Sequence, residues 1–205
     1  MMEKTGPASP QCAADMLFHL ARSAGQDDSA TPLTPAQWAA LRFFARASRL
    51  SRTPSGFASF HATTRGTASQ TVKSLERLGL LARVRAPQDG RSVIFEPTEA
   101  GRDRLSRDPM RRLEAALGRL SEGDVRRLCE VLQASMEAVA GAQDAAVLGT
   151  CGDCRNLTPA EDTEGGLPGC ACTGDRLAPA DFDRLCVRYA PDPSRPGKAA
   201  RGGHE

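Results

Sequence analysis

The spacing of apolar positions along the chain predicts a series of amphipathic helices interrupted by one short hairpin. Apolar residues recur at helical intervals over four segments, about residues 11–24, 34–51, 64–78 and 98–120. A shorter helix opens at Thr53 and a last long helix opens at Ser121. Pro109 predicts an interruption or a kink in the segment 98–120. The pattern therefore favours a mainly α fold with one small β element.

The helix predicted from about Thr64 to Leu78 has two chemically different faces. Apolar residues at helical spacing can face a core, namely Ala68, Val72, Leu75 and Leu78. The opposite face carries short polar, amide and cationic groups, namely Arg65, Thr67, Ser69, Gln70 and Lys73. Such groups reach base edges and phosphates in a major groove. An ordinary solvated helix face would be denser in Glu and Lys, and Glu76 is the one acid here.

Two short strands separated by a strong turn sequence follow this helix. Residues 80–85 alternate and are rich in apolar groups, and residues 92–96 are β-branched and aromatic. Between them Pro87-Gln88-Asp89-Gly90 predicts a hairpin turn, because Asp-Gly readily takes positive φ. Arg91 lies just past the tip. A helix, a turn, a second helix and a basic hairpin in this order indicate a nucleic-acid-binding domain.

Charge is unevenly distributed along the chain. The whole sequence has a net charge of +2, but residues 33–92 hold ten Lys and Arg against two acids, a local net charge of +8. From Cys151 onward seven bases face nine acids, a net charge of −2. Positive charge confined to one segment indicates a polyanionic partner for that segment alone.

Three stretches, taken in order, resemble the MarR family of winged helix-turn-helix transcriptional regulators: LTPAQWAALRFFARAS, ATTRGTASQTVKSLERLGLLARV and PQDGRSVIFEPTEAGRDRL. The resemblance covers about residues 11–141. It depends on the LERLGLL ending of the fourth helix, on the Asp89-x-Arg91 wing and on the Thr-Glu-Ala-Gly after the second strand. It implies a non-enzymatic protein with a mainly α fold, a small β-hairpin wing and a helical dimerisation region.

The resemblance also implies roles for particular residues. The helix at about 64–78 would lie in the major groove of double-stranded DNA, with Arg65, Thr67, Ser69, Gln70 and Lys73 as contacts. Arg91, oriented by Asp89, would reach a minor groove, and two copies would read a pseudo-palindrome. The homodimer would use the first helix and an apolar seam of the last helix, formed by Val125, Leu128, Leu132, Met136 and Val139. The alternative is that this seam packs on its own domain.

Five cysteines fall within 36 residues after the last helix, in the spacing C-x2-C, fifteen residues, C-x-C, thirteen residues, C. In a reducing compartment such cysteines are more often metal ligands or redox groups than structural disulfides. Residues 151–190 contain few large apolar side chains, so a bound ion would be the natural source of their stability. We predict a metal site formed by Cys151, Cys154, Cys170 and Cys186, with Cys172 as an alternative ligand.

Sulfur ligands of this number suit zinc or an iron-sulfur cluster. No histidine lies in the segment, so the site would be built from cysteine alone. We favour zinc, although C-x-C replaces the second C-x2-C of paired knuckles. An iron-sulfur cluster is the second choice, because the fifth cysteine offers a spare ligand. Thiol chemistry without a metal is the third.

The remaining segments carry weaker features. Residues 1–10 and the Pro- and Gly-rich residues 191–205 are expected to be disordered. Cys129 is expected in the core, and His61 is expected to face solvent or cap a helix. Cys12 invites comparison with peroxide sensors of the family but lacks their flanking tyrosines. No apolar stretch approaches about 20 residues, so we expect no membrane association and a cytoplasmic protein of a prokaryote.

Three functions fit this sequence. The leading hypothesis is a homodimeric, sequence-specific DNA-binding regulator that is modulated by a metal or redox-sensitive cysteine cluster, with a small-molecule or redox effector as a further partner. The alternative is a redox or electron-transfer protein that docks other proteins through the winged domain. The third is a protein-interaction adaptor. An enzyme is disfavoured, because the sequence offers no nucleophile with a paired base and no phosphate loop.

Overall fold

The structure is a computed structural model that describes residues 9–27, 29–85, 93–143, 147–162 and 166–192. Its helices are α1 (Pro10–Ala24), α2 (Pro35–Arg46), α3 (Pro54–Phe60), α4 (Arg65–Arg77), α5 (Glu99–Ser106), α6 (Arg111–Leu117) and α7 (Glu122–Gln143). Its strands are β1 (Leu81–Arg85), β2 (Val93–Pro97), β3 (Leu157–Thr158) and β4 (Gly169–Cys170). The predicted turn at residues 87–90 with Asp89 and Arg91, residues 1–8 and residues 193–205 lie outside the described residues.

Capping side chains set the starts of the first helices. Ser9 accepts a hydrogen bond from the Cys12 N–H, and α1 begins at Pro10. Thr34 and Gln37 form the predicted capping box at the start of α2, with Pro35 as the first helical residue. These side chains accept hydrogen bonds from N–H groups that have no partner within the helix.

The second helix ends at Arg46, so the predicted end near Ser51 was wrong. Ala47 and Ser48 are extended, and residues Arg49–Ser51 form one 3-10 turn. The Ser48 N–H donates to the carbonyl of Leu185, which lies far along the chain. A partner so distant leaves no trace in the local apolar pattern.

The winged core is built around aromatic side chains of α2 and α3. Phe43 and Phe44 pack against Phe57, with ring centroids 5.7 and 6.2 Å apart, and Phe44 also meets Phe95 of β2. α4 contributes the buried residues Ala68, Val72 and Leu75. The strands β1 and β2 pair antiparallel, with Leu81 opposite Pro97 and Arg85 opposite Val93.

The prediction that Leu78 faces the core was wrong. Its side chain is 54% exposed, because the residue caps α4 and the chain turns away at Gly79. Gly79 has φ of 69°, a left-handed conformation that glycine adopts without strain. The helical spacing that placed Leu78 on the core face stops applying at this turn.

The segment 98–120 is interrupted, as the sequence predicted, and forms two helices, α5 and α6. Pro109 lies in the break between them. Asp108, just before the proline, accepts a hydrogen bond from the Met110 N–H. It also accepts two hydrogen bonds from the Arg42 guanidinium of α2, each 2.6 Å long. The break is therefore anchored to the winged core.

A buried ionic network joins the segment after α1 to α2 and α5. Asp27 has a side chain only 8% exposed and accepts hydrogen bonds from the Trp38 indole at 2.9 Å and from Arg104 at 2.8 Å. The guanidinium groups of Arg42 and Arg104 each lie 5.4 Å from the Trp38 ring. These cation-π contacts add to the hydrogen bond in holding the indole in place.

Helices α1 and α7 leave apolar side chains uncovered in the single chain. On α1, Met16 is 65% exposed and Phe18 is 67% exposed, and on α7 Val139 is 57% exposed. The other four members of the predicted seam, Val125, Leu128, Leu132 and Met136, are half-buried. Within the described part of the chain no helix is both long and apolar enough to cross a bilayer.

Candidate nucleic-acid interface and cysteine module

The turn between α3 and α4 fixes the start of the helix with the polar face. Ala62 lies in this turn with φ of 48°, and the Thr63 N–H donates to the Ala58 carbonyl. Thr64 caps α4, since its hydroxyl accepts a hydrogen bond from the Thr67 N–H at 3.1 Å. The partial positive charge of a helix N-terminus therefore faces outward beside Arg65.

The five predicted contact residues all lie outside the buried face of α4. Arg65, Thr67, Gln70 and Lys73 are exposed and Ser69 is half-buried, while Ala68, Val72 and Leu75 on the other side are buried. The Thr67 hydroxyl shares a 2.9 Å hydrogen bond with the Thr64 hydroxyl, which restrains it. The helix thus presents polar side chains of different length, while its buried face is packed against the core.

Two exposed cations on β1 were not predicted as site residues. Arg83 and Arg85 are both exposed, and the Arg83 guanidinium lies 5.9 Å from the Phe95 ring. Because they are two positions apart on one strand, they share a face of the hairpin. This spacing was readable in the sequence as a pair of arginines leading into the predicted wing. The wing residues Asp89 and Arg91 lie outside the described residues.

Arg52 braces the start of α3 against the wing. Its guanidinium donates to the Ala47 carbonyl at 2.9 Å and pairs with Glu96 of β2 at 2.5 Å. The Phe95 N–H donates to the Arg52 carbonyl. The hairpin is therefore tied to the segment that positions α3 and α4.

His61 caps the end of α3 and is exposed at its edge. Its ring centroid lies 4.7 Å from that of Phe57 and 5.1 Å from that of Phe60. Burial against these rings lowers the pKa of His61 below its usual value. The imidazole ring is therefore part of the aromatic cluster beneath the turn.

Residues 147–162 and 166–192 form a small module around four cysteines. Cys151 and Cys186 are buried with Leu177, and Leu157, Cys170 and Tyr189 pack against them. Gly149 lies flat on the Tyr189 ring, where an added Cβ would come within 2.3 Å of a ring carbon. Pro191 forms an isolated bridge with Cys154, so described contacts of the module extend one residue past its predicted end.

Each of the four predicted ligands opens a tight turn. The carbonyls of Cys151, Cys154, Cys170 and Cys186 each accept a hydrogen bond from the N–H three residues later. The sulfur of Cys154 accepts a further hydrogen bond from the Ala190 N–H at 3.4 Å. Cys172 differs, because its side chain is exposed.

The thiols of Cys151 and Cys186 are hydrogen-bonded to each other. Hydrogen bonding to Cys186, burial and the neighbouring Cys170 and Cys154 raise the pKa of Cys151. The hydrogen bond from Cys151 lowers the pKa of Cys186 to about 6, against the effect of burial and with help from the Arg188 N–H and the Ser51 hydroxyl. The four thiols are thus close enough to influence one another. Among the described residues, no three or more His, Cys, Asp or Glu side chains are arranged as a closed ion site.

The other two cysteines are on the helices that leave apolar faces uncovered. Cys12 on α1 and Cys129 on α7 are both half-buried in the single chain. Cys129 is therefore not in the core of the single chain, contrary to the prediction. Neither thiol contacts the module described above in any hydrogen bond of the described residues.

The order of helices and hairpin defines a winged helix-turn-helix domain. Residues 31–92 match the model of the MarR family. The chain is therefore similar to this family over that stretch. The match ends at residue 92, so it covers α2 to β1 but neither β2 nor the cysteine module.

The chain is similar to several solved structures. MepR of S. aureus in its complex with DNA is 18% identical, with a TM-score of 0.50, and the match covers 66% of this chain and 99% of that one. FabT of Streptococcus pneumoniae in complex with DNA is 20% identical, with coverage of 65% and 99% and a TM-score of 0.49. PcaV of Streptomyces coelicolor in complex with its natural ligand is 22% identical, with coverage of 68% and 99% and a TM-score of 0.45. No curated protein matches the chain in sequence.

Proposed function

We propose that this MarR-family protein binds double-stranded DNA sequence-specifically as a homodimer and that its cysteine module holds a metal. The observation that carries the DNA-binding part is the exposed polar and cationic face of α4, set on a buried apolar base. A rigid helix with such a face fits the major groove, where each base pair presents its own pattern of donors and acceptors.

Individual side chains then have separate tasks. Arg65 and Gln70 are long enough to bond base edges, guanine for an arginine and adenine for an amide. Lys73 and the cations Arg83 and Arg85 would neutralise phosphates. For the wing, the family resemblance supports Arg91 in a minor groove with Asp89 orienting it.

The test is selection of binding sites from a pool of random-sequence duplexes, followed by fluorescence anisotropy on the enriched duplex. Arg65→Ala should weaken binding by roughly 5- to 150-fold and relax the preference at one base position, as expected for a base contact worth about 1–3 kcal/mol. Arg107→Ala is the matched control, because this exposed arginine lies at the end of α5 and pairs with Asp103. Failure to enrich any sequence, with no salt-dependent binding, would contradict the proposal.

The homodimer is supported by the uncovered apolar faces of α1 and α7. Their exposed and half-buried residues form a surface that a second copy would cover in a closed two-fold interface. Two copies would place two α4 helices against successive major grooves, about one helical turn apart. The binding site would then be a pseudo-palindrome.

The metal is supported by the four turn-opening cysteines. Cys151, Cys154, Cys170 and Cys186 come from four turns of one small module, and soft thiolates suit zinc. Cysteines bind such an ion as thiolates, so its affinity would depend on pH. When bound, zinc would supply the cross-link that the small apolar core of the module lacks. An iron-sulfur cluster is the alternative occupant.

Metal analysis of protein purified with and without oxygen tests this assignment. We expect one zinc per chain, retained by Cys172→Ser and lost by Cys151→Ser. The two variants make the same substitution in one module, one at the exposed thiol and one at a buried thiol. Iron with visible absorbance would identify the cluster instead. Full retention of the ion by Cys151→Ser would overturn the ligand set.

A further inference from the structure

The cysteine module is bonded to the winged domain through main-chain hydrogen bonds at Leu185. The Leu185 N–H donates to the Arg46 carbonyl at 2.9 Å, and the Ser48 N–H donates to the Leu185 carbonyl at 2.7 Å. These two bonds make a parallel bridge between Leu185 and Ala47. The residues at this bridge are buried: Ala47 is 0% exposed, Ser48 1% and Leu185 5%.

Side chains strengthen this contact on both sides of Leu185. The Arg184 guanidinium donates to the Ala45 carbonyl at 2.7 Å. The Ser51 hydroxyl, which is fully buried, accepts a hydrogen bond from the Val187 N–H at 3.2 Å and shares another with Ser48. We call residues 184–187 the docking strand.

The opposite edge of the docking strand meets the start of the cysteine module. The Cys186 N–H donates to the Gly149 carbonyl at 3.0 Å, and Leu185 forms an antiparallel bridge with Thr150. The strand therefore lies between the winged domain on one side and the residues leading to Cys151 on the other. Two of the proposed ligands adjoin this bridge: Cys186 directly follows Leu185, and Cys151 directly follows Thr150.

The segment covered by the docking strand positions the DNA-facing elements. Residues 47–53 connect α2 to α3. Arg52 within this connection donates to the Ala47 carbonyl and pairs with Glu96, and its carbonyl accepts from the Phe95 N–H. A shift of the docking strand would act directly on the start of α3 and on β2.

We infer that the docking strand couples the metal state of the cysteine module to the affinity of the winged domain for DNA. Arg184 and Ser51 are the positioning residues of this coupling. Metal bound by Cys151 and Cys186 holds the strand in its bridge, which fixes the α2–α3 connection and with it the start of α3 and the wing. This inference rests on the proposed function, because it needs both a metal and a DNA partner.

The sign and size of the coupling follow from linkage. A fixed connection lowers the conformational entropy that DNA binding must still remove, so loaded protein should bind the duplex more tightly than stripped protein. We expect about a tenfold difference, within the usual range of roughly 5- to 150-fold for coupled sites. The same linkage requires DNA to tighten the binding of zinc by the same factor.

The experiment measures duplex affinity of the full-length protein, zinc-loaded and chelator-stripped, on the duplex enriched by selection. The wild type should lose about tenfold in affinity on stripping. Arg184→Ala should still take up zinc, but its loaded and stripped forms should differ by less than about twofold. Arg155→Ala is the matched control, because Arg155 donates to the Pro191 carbonyl inside the module and should keep the tenfold effect.

Hydrogen exchange gives a second readout that does not depend on DNA. Zinc should slow exchange at the Ser48 and Leu185 amides in the wild type and in Arg155→Ala but much less in Arg184→Ala. The inference is overturned if Arg184→Ala takes up zinc and keeps the full tenfold difference between loaded and stripped forms, or if zinc leaves exchange at both amides unchanged in the wild type. If the wild type does not bind DNA but shows this zinc-dependent protection, the proposed function is wrong. The link between zinc and the docking strand would still be supported.

Discussion

A single carboxylate, Asp27, links three parts of the winged domain. It accepts hydrogen bonds from the Leu33 N–H, the Trp38 indole and Arg104, which comes from α5. Burial alone would raise the pKa of Asp27, but the hydrogen bonds from Ser29, Leu33 and Trp38 outweigh it and hold that pKa well below the usual range. The charged form is therefore favoured in the folded protein.

Replacing Asp27 with asparagine should destabilise the protein in a pH-dependent way. At pH 7 we expect Asp27→Asn to lower the free energy of unfolding by about 3 kcal/mol, because the buried Arg104 loses its counter-charge. The folded pKa lies below the unfolded value near 3.8, so this contribution is complete above that value and is lost as pH falls below it. Urea unfolding at pH 7 and at pH 3 measures both effects.

The control for this variant is Asp103→Asn. Asp103 pairs with Arg107 on α5, but both side chains are more than 60% exposed. Exposed pairs contribute less than about 1 kcal/mol. If Asp27→Asn lowers the free energy of unfolding at pH 7 by no more than Asp103→Asn does, the network around Asp27 is not stabilising.

At the scale of the element, the turn between α3 and α4 holds a residue in an unfavourable conformation. Ala62 has φ of 48°, where a Cβ costs roughly 1–2 kcal/mol. The turn is nevertheless kept, because the N–H groups of Ala62 and Thr63 donate to carbonyls of α3. The strain lies directly before the helix that carries the proposed base contacts.

Ala62→Gly should therefore stabilise the protein. Glycine removes the Cβ conflict but makes the unfolded chain more flexible, so we expect a net gain of about 0.5–1 kcal/mol in thermal or urea unfolding. Ala134→Gly is the matched control, since Ala134 is exposed within α7 and the same change should cost about 1 kcal/mol there. A loss of stability from Ala62→Gly would contradict the strain argument.

Local patterns predicted most of the elements, and their failures have physical causes. Capping residues and the glycine at position 79 correctly marked the starts and the end of helices. The predicted end of α2 was wrong because the Ser48 N–H is bonded to Leu185. The predicted burial of Leu78 was wrong because this residue caps α4, where helical spacing ends. The place of the cysteine module on the α2–α3 connection was not predictable, because main-chain bonds between distant segments depend on no particular side chain.

At the scale of the whole molecule, the uncovered faces of α1 and α7 predict the oligomeric state. Phe18→Glu places a charge in the middle of the α1 face, where Phe18 is 67% exposed. We expect this variant to sediment as a monomer at concentrations where the wild type is a dimer, because burying an unpaired carboxylate is costly. It should also bind a pseudo-palindromic duplex more weakly.

Ser23→Glu is the control for the dimer prediction. It adds the same charge to α1 at a polar, exposed position whose hydroxyl bonds His19. We expect it to remain dimeric. Sedimentation of the wild type as a monomer at every concentration would rule out the proposed interface.

The position of Leu185 also sets an order of events during synthesis. Arg46, Ala47 and Ser48 leave the ribosome well over a hundred residues before the strand that bonds to them. Domains fold as units while the chain is still growing. The nascent winged domain must therefore pass through a stage in which water solvates the backbone groups that Leu185 later covers. The contact between Leu185 and the α2–α3 connection can therefore form only after translation has delivered the segment that ends with Cys186, the last cysteine.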